Sequence, residues 1–144
     1  MIVIDATNIG GGGGLTHLRE LLKAVPSHCT VKVIAQRKVL HLLSPRPGLT
    51  LTGHALLEGN LLQRVIYQRF LMDREIPSGA LLFAVSGDFL GNHRPVVSMS
   101  QNMLLYERDF WREMPTVKER MRFRINYLKQ KRSFRNSQGI IFLS

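Results

Sequence analysis

At 144 residues, 44% hydrophobic and 21% charged, the chain has the size and composition of one globular domain with a real core. The single cysteine, Cys29, excludes an internal disulfide, and no stretch is apolar enough to span a bilayer as a helix. The net charge is +10, the lone thiol fits a reducing compartment, and the first residues lack the charged lead-in of a secretory signal, so a cytoplasmic location is expected.

Ile2 to Asp5, five glycines from Gly10 to Gly14, and Leu15 to Leu22 spell strand, loop and helix, with Leu15, Leu18, Leu22 and Val25 on one helical face. Thr30 to Ala35 reads as a second strand, Gln36 to Leu43 as a short helix stopped by Pro45 and Pro47, and Leu49 to Thr52 as a third strand. Glu58 to Glu75 predicts one helix whose inward stripe is Leu62, Val65, Ile66 and Phe70. Ala80 to Val85 is a continuous apolar strand of the kind buried on both faces of a parallel sheet, and Pro95 to Met99 is another strand. A basic helix from about Val117 follows, with Val117, Met121, Ile125 and Leu128 expected against the sheet. Ile140 to Leu143 is the last strand. Strand and helix alternate almost throughout, which predicts a Rossmann-like parallel α/β sheet with helices on both faces. No helix follows the last strand, so the expectation is a first lobe, residues 1–144, of a two-lobed protein.

Ligands of such sheets bind where the strands end and strand order reverses. Three polar loops should gather there: Ala6 to Gly14, Ser86 to His93 and Ser100 to Glu107. The glycine loop suits a phosphate or diphosphate held on main-chain N–H groups at a helix start. It lacks the third glycine of the dinucleotide fingerprint, since position 15 is leucine, and the Gly-Lys-Ser/Thr ending of a P-loop. Asp5 ends the first strand, equally suited to capping nearby N–H groups and to touching a ligand; Asn8 suits a turn in the left-handed region. His17 is expected neutral, because a helix N-terminus disfavours the imidazolium, and Asp88 and Asn92 are expected to be solvated loop residues. The remaining histidines make no zinc spacing. Glu107, Asp109 and Glu113 are better explained as ion pairs with Arg108 and Arg112 than as hydrolytic carboxylates, and Gly-x-Ser-x-Gly is absent.

The charge is concentrated. From Val117 to Arg135 eight Lys/Arg face only Glu119, whereas the remainder holds 12 basic and 9 acidic residues. Phe123, Tyr127 and Phe134 fall opposite the predicted buried arc, beside Arg120, Arg124 and Lys131. Such a stripe suits an anionic membrane surface, an absent lobe, or cover by a neighbouring segment. Binding of RNA or single-stranded DNA is the competing class, disfavoured because no nucleic-acid motif is present and the charge avoids the predicted ligand loops.

Asp5 to His17 with its glycine run, the Leu81-Leu82-Phe83 strand, and Arg94-Pro95-Val96-Val97-Ser98 through Met103 together resemble the N-terminal lobe of glycosyltransferase family 4, as does the segment from Phe134 to Ser144. The resemblance implies a two-lobed, metal-independent, retaining sugar transferase. It gives Gly11, Gly12, Gly13 and Gly14, with Asn8, a role near the donor diphosphate and acceptor. In the family the loop after the Pro-Val-Val strand often carries a histidine; here Ser100, Gln101 and Asn102 stand there, able to hydrogen-bond sugar hydroxyls but not to act as imidazole does. The resemblance implies no bound cofactor: the nucleotide-sugar is a co-substrate held mainly by a second lobe or separately encoded partner chain. The acceptor is then a glycan or a lipid-linked molecule, with the protein cytoplasmic or peripheral at the inner membrane face and the lobe inactive alone.

Overall fold

The computed structural model describes residues 1–100 and 114–143. Apolar and β-branched runs form six strands: β1 (Ile2–Ala6), β2 (Val31–Ala35), β3 (Leu49–Thr52), β4 (Leu81–Ala84), β5 (Val96–Ser100) and β6 (Gly139–Phe142). They make one sheet in the order β3-β2-β1-β4-β5-β6, and every pairing is parallel. This is a Rossmann-like α/β fold whose strand order reverses between β1 and β4.

One face of the sheet is covered by α1 (Gly12–Ala24), whose Leu15, Leu18 and Leu22 pack on Ile4, Val31, Val33 and Met99. The short α2 (Arg37–Leu40) adds Val39 to the same core. The Arg46 guanidinium closes the C-terminal end of α1 by donating to the Leu22, Val25 and Pro26 carbonyls, which have no helical partners of their own. On the opposite face Val3, Ile34, Leu82, Ala84 and Val96 meet Leu57, Tyr67, Met72 and Phe89.

The segment expected as one helix from Glu58 to Glu75 is three pieces, entered from a short turn. A 3₁₀ turn (Ala55–Leu57) leads to α3 (Leu61–Ile66), a π turn (Tyr67–Leu71) and a second 3₁₀ turn (Met72–Glu75). The predicted inward stripe is turned out: Leu62 is 66% and Phe70 63% exposed, while Tyr67, Gln68 and Met72 are buried. The π turn is wider than an α turn and carries residues five apart, Tyr67 and Met72, onto one face. Asn60 and Gln63 start α3 with a reciprocal capping box.

The basic helix, α4 (Val117–Asn136), forms where expected but presents the opposite face. Val117, Met121 and Leu128 are 74%, 58% and 55% exposed, Ile125 is half-buried, and the side chains turned fully inward are Lys129, Gln130 and Ser133. The reason lies beneath it. β5 offers the buried hydroxyl of Ser98, which binds Ser133 Oγ at 2.9 Å and Ser137 Oγ at 2.6 Å. A buried hydroxyl without partners is costly, so polar residues of α4 turn toward the sheet. Beyond α4, β6 is the sheet edge and leaves Ile140, Ile141 and Phe142 exposed. No described helix is long and apolar enough to cross a membrane.

Candidate functional site

β1 delivers Asp5 to the face shared by α3 and α4, wholly buried near the reversal point. Its Oδ1 accepts from the Thr7 N–H at 3.0 Å and the Thr7 hydroxyl at 2.6 Å; the Thr7 hydroxyl in turn accepts from Gln68 Nε2 at 2.7 Å. The capping role foreseen for Asp5 is therefore filled by one oxygen. The other, Oδ2, is buried with no hydrogen-bond partner among the described residues, and so is Gln68 Oε1. Burial, then the charge of Asp88, push the Asp5 pKa up to about 6, against the hydrogen bonds from Thr7 and the charge of Lys129.

Asp88 is not a solvated loop residue. It follows β4 through Gly87, which has φ +65 and whose added Cβ would meet the Met99 carbonyl at 2.5 Å, so the turn requires glycine. Lys129 Nζ lies 2.8 Å from Asp88 Oδ2, and the Asn8 side-chain amide donates to the same oxygen. Ammonium and carboxylate enter the interior together because either alone would face a desolvation penalty of several kcal/mol. The pair binds the β1 loop, the β4 loop and α4 into one unit.

Above this unit lies a crevice of about 550 Å³ between α3 and α4, lined by Asn8, Ser86, Asp88, Arg122, Phe123 and Asn126 among others. It stands at the C-terminal ends of β1 and β4, where ligands of such sheets bind. It offers hydroxyl, amide and guanidinium groups over an apolar ring, a set suited to hydroxylated anionic ligands. Of the three loops foreseen to gather here, the one from Ser100 to Glu107 lies, after Ser100, outside the described residues, and the other two meet only in part. Ser86 to Asp88 joins Asn8, but Phe89 and Leu90 are core residues. Asn92 and His93 turn away, donating their N–H groups to Asp73 at 2.7 and 3.3 Å.

The other candidates divide. Asn8 belongs to the crevice, though not as a left-handed turn residue, since no described residue other than glycine has positive φ. Gly11 (φ +148) and Gly12 (φ +58) need glycine for backbone reasons, and an added Cβ at Gly11, Gly12 or Gly13 would meet no described atom within 4 Å. At Gly14 an added Cβ would lie 3.5 Å from the Ile9 side chain, an ordinary contact. The start of α1 has no side-chain cap among the described residues and no acidic residue in its first turn to offset its positive end. None of these glycines lines the crevice itself. Ser100 ends β5 fully buried, and Gln101 and Asn102 lie outside the described residues, as do Glu107, Asp109 and Glu113.

Of the residues grouped as a membrane or partner surface, Phe123 lines the crevice. Arg120 donates to the Met114 carbonyl at 3.1 Å, and Lys131 lies 5.9 Å over the half-buried Tyr127 ring. Arg124 is exposed. The aromatic stripe is thus partly covered, and the outward stripe is Val117, Met121 and Leu128 among cations. Among the described residues no group of three His, Cys, Asp or Glu is placed to hold a metal ion. Lys129, Gln68, Arg122 and Asn126 were not foreseen. The first and third are indistinguishable in sequence from the other cations of α4, and only the Ser86-Gly87-Asp88 turn after a buried strand carried a local signal. No family model matches the chain, and no curated protein or solved structure matches it.

Proposed function

We propose that this chain is the acceptor-side lobe of a two-lobed sugar transferase that moves a sugar from a nucleotide-sugar to a glycan or lipid-linked acceptor. One observation carries the reading. The uncapped, glycine-opened start of α1 and a polar crevice share the carboxyl edge of a doubly wound sheet at its reversal point. The start of α1 and Arg122 supply positive potential for a diphosphate, while Ser86 and Asn126 supply hydrogen bonds for hydroxyls. The nucleotide is then held by a second lobe, in the same or a separate chain, and this lobe alone is inactive. The outward Val117, Met121 and Leu128 among Arg124, Lys131 and Arg132 suit a site at an anionic membrane surface.

The test is transfer of labelled sugar from a panel of nucleotide-sugars by the native species purified from its source, with membrane-lipid and glycan acceptors. Transfer that falls at least ten-fold in Asn126→Ala and Gly12→Val, with folding intact, supports the proposal. No transfer from any donor, or tight single-stranded oligonucleotide binding with a steep salt dependence, overturns it in favour of a nucleic-acid module.

A further inference from the structure

A second concave site lies away from the reversal point. The C-terminal half of α4 faces the loop from Gly91 to Arg94, and between them is a groove of about 860 Å³. Arg94 comes from the loop; Lys131, Arg132 and Arg135 come from the helix; no carboxylate among the described residues lines the groove. None of these four cations forms a salt bridge with a described carboxylate, the described ion pairs being Lys23 with Glu20 and Lys129 with Asp88. Basic residues in the last turns of a helix are ordinarily explained by the helix dipole. That explanation covers Arg132 and Arg135 but not Arg94, which arrives from a separate element.

Both walls are held in place. The loop is fixed by Asp73, which accepts the Asn92 and His93 N–H groups, and by the His93 ring, whose Nε2 donates to the Ala80 carbonyl at 2.7 Å. Gly91 is tucked so closely that an added Cβ would fall 2.2 Å from Asp73 Oδ1. The helix wall is fixed by Lys129 on Asp88 and Ser133 on Ser98, so the cations stand on a preorganised frame. Four like charges converging on one groove repel one another unless an anion sits among them, and guanidinium forks match phosphate oxygens in bidentate geometry.

The geometry points to a binding site for a phosphate-bearing anion in this groove, separate from the crevice at the reversal point and independent of the sugar-transfer proposal. The ligand is a free phosphorylated compound or the headgroup of an anionic lipid, which present the same oxygens. The test titrates the whole chain with inorganic pyrophosphate by calorimetry, and with vesicles of 30% phosphatidylglycerol in phosphatidylcholine by co-sedimentation. The variant Arg132→Gln/Arg135→Gln removes two groove charges; Lys23→Gln/Lys118→Gln removes two outside both the groove and the outward stripe of α4. All four residues are exposed, and far-UV circular dichroism checks that each variant folds. At least a ten-fold loss in the groove variant with less than a two-fold change in the control supports the site. Pyrophosphate binding then marks a free ligand, and vesicle binding alone marks a lipid headgroup. Equal weakening in both variants, or no binding of either probe, overturns it.

Discussion

Asp5→Asn tests the buried network directly. The carboxyl titrates near 3.8 in an unfolded chain and at about 6 in the fold, because burial and the nearby Asp88 disfavour its charged form. Below about pH 4 it is protonated in both states and contributes no pH-dependent difference. Between about pH 4 and pH 6 the unfolded chain loses its proton while the folded chain keeps it, so stability falls as pH rises. Above about pH 6 both states are ionised and the loss is complete. Roughly two pH units correspond to about 3 kcal/mol, a large part of the total stability of a domain this size. Asparagine keeps the shape and the acceptor for Thr7 but does not titrate. Urea unfolding of both proteins from pH 3.5 to pH 7.5 therefore gives a wild-type minus variant difference that shifts by about 3 kcal/mol against the wild type and levels off above pH 6. Taking the difference cancels the other carboxylates. A difference that does not change with pH, or that changes in the wild type's favour as pH rises, refutes the assignment of Asp5 as a strained buried acid.

Lys129→Met strands the Asp88 carboxylate in the interior and destabilises by about 3–5 kcal/mol in urea melts; Asp88→Asn added to it restores most of that loss, because no unpaired charge remains. Gly12→Ala lowers stability by about 1–2 kcal/mol through its left-handed backbone, whereas Gly13→Ala, one residue on with open space and no positive φ, raises it by about 0.5–1 kcal/mol; thermal melts separate the two. Ser98→Ala leaves the hydroxyls of Ser133 and Ser137 without their shared partner and costs about 1–3 kcal/mol by the same measurement.

Local pattern alone carried the alternation of elements, the parallel sheet and the packing of α1. Leu15, Leu18 and Leu22 repeat at helical spacing above strands that are apolar on both sides, so no other face was available to bury. The glycine loop was equally legible, since a positive φ is a backbone demand that the residue itself declares. The faces of α3 and α4 were decided elsewhere. Periodicity assumes that the apolar arc turns inward. Under α4, however, the sheet and the β4 loop present Ser98 and Asp88, groups that must be hydrogen-bonded once buried. Satisfying them drew Lys129, Gln130 and Ser133 inward and left Val117, Met121 and Leu128 outside. Only strand order determines which residues lie beneath a helix 30 to 40 positions away. The polar crevice, the Asp88–Lys129 pair and the cationic groove are therefore products of tertiary structure, because each needs partners that the chain brings together only after the sheet has formed.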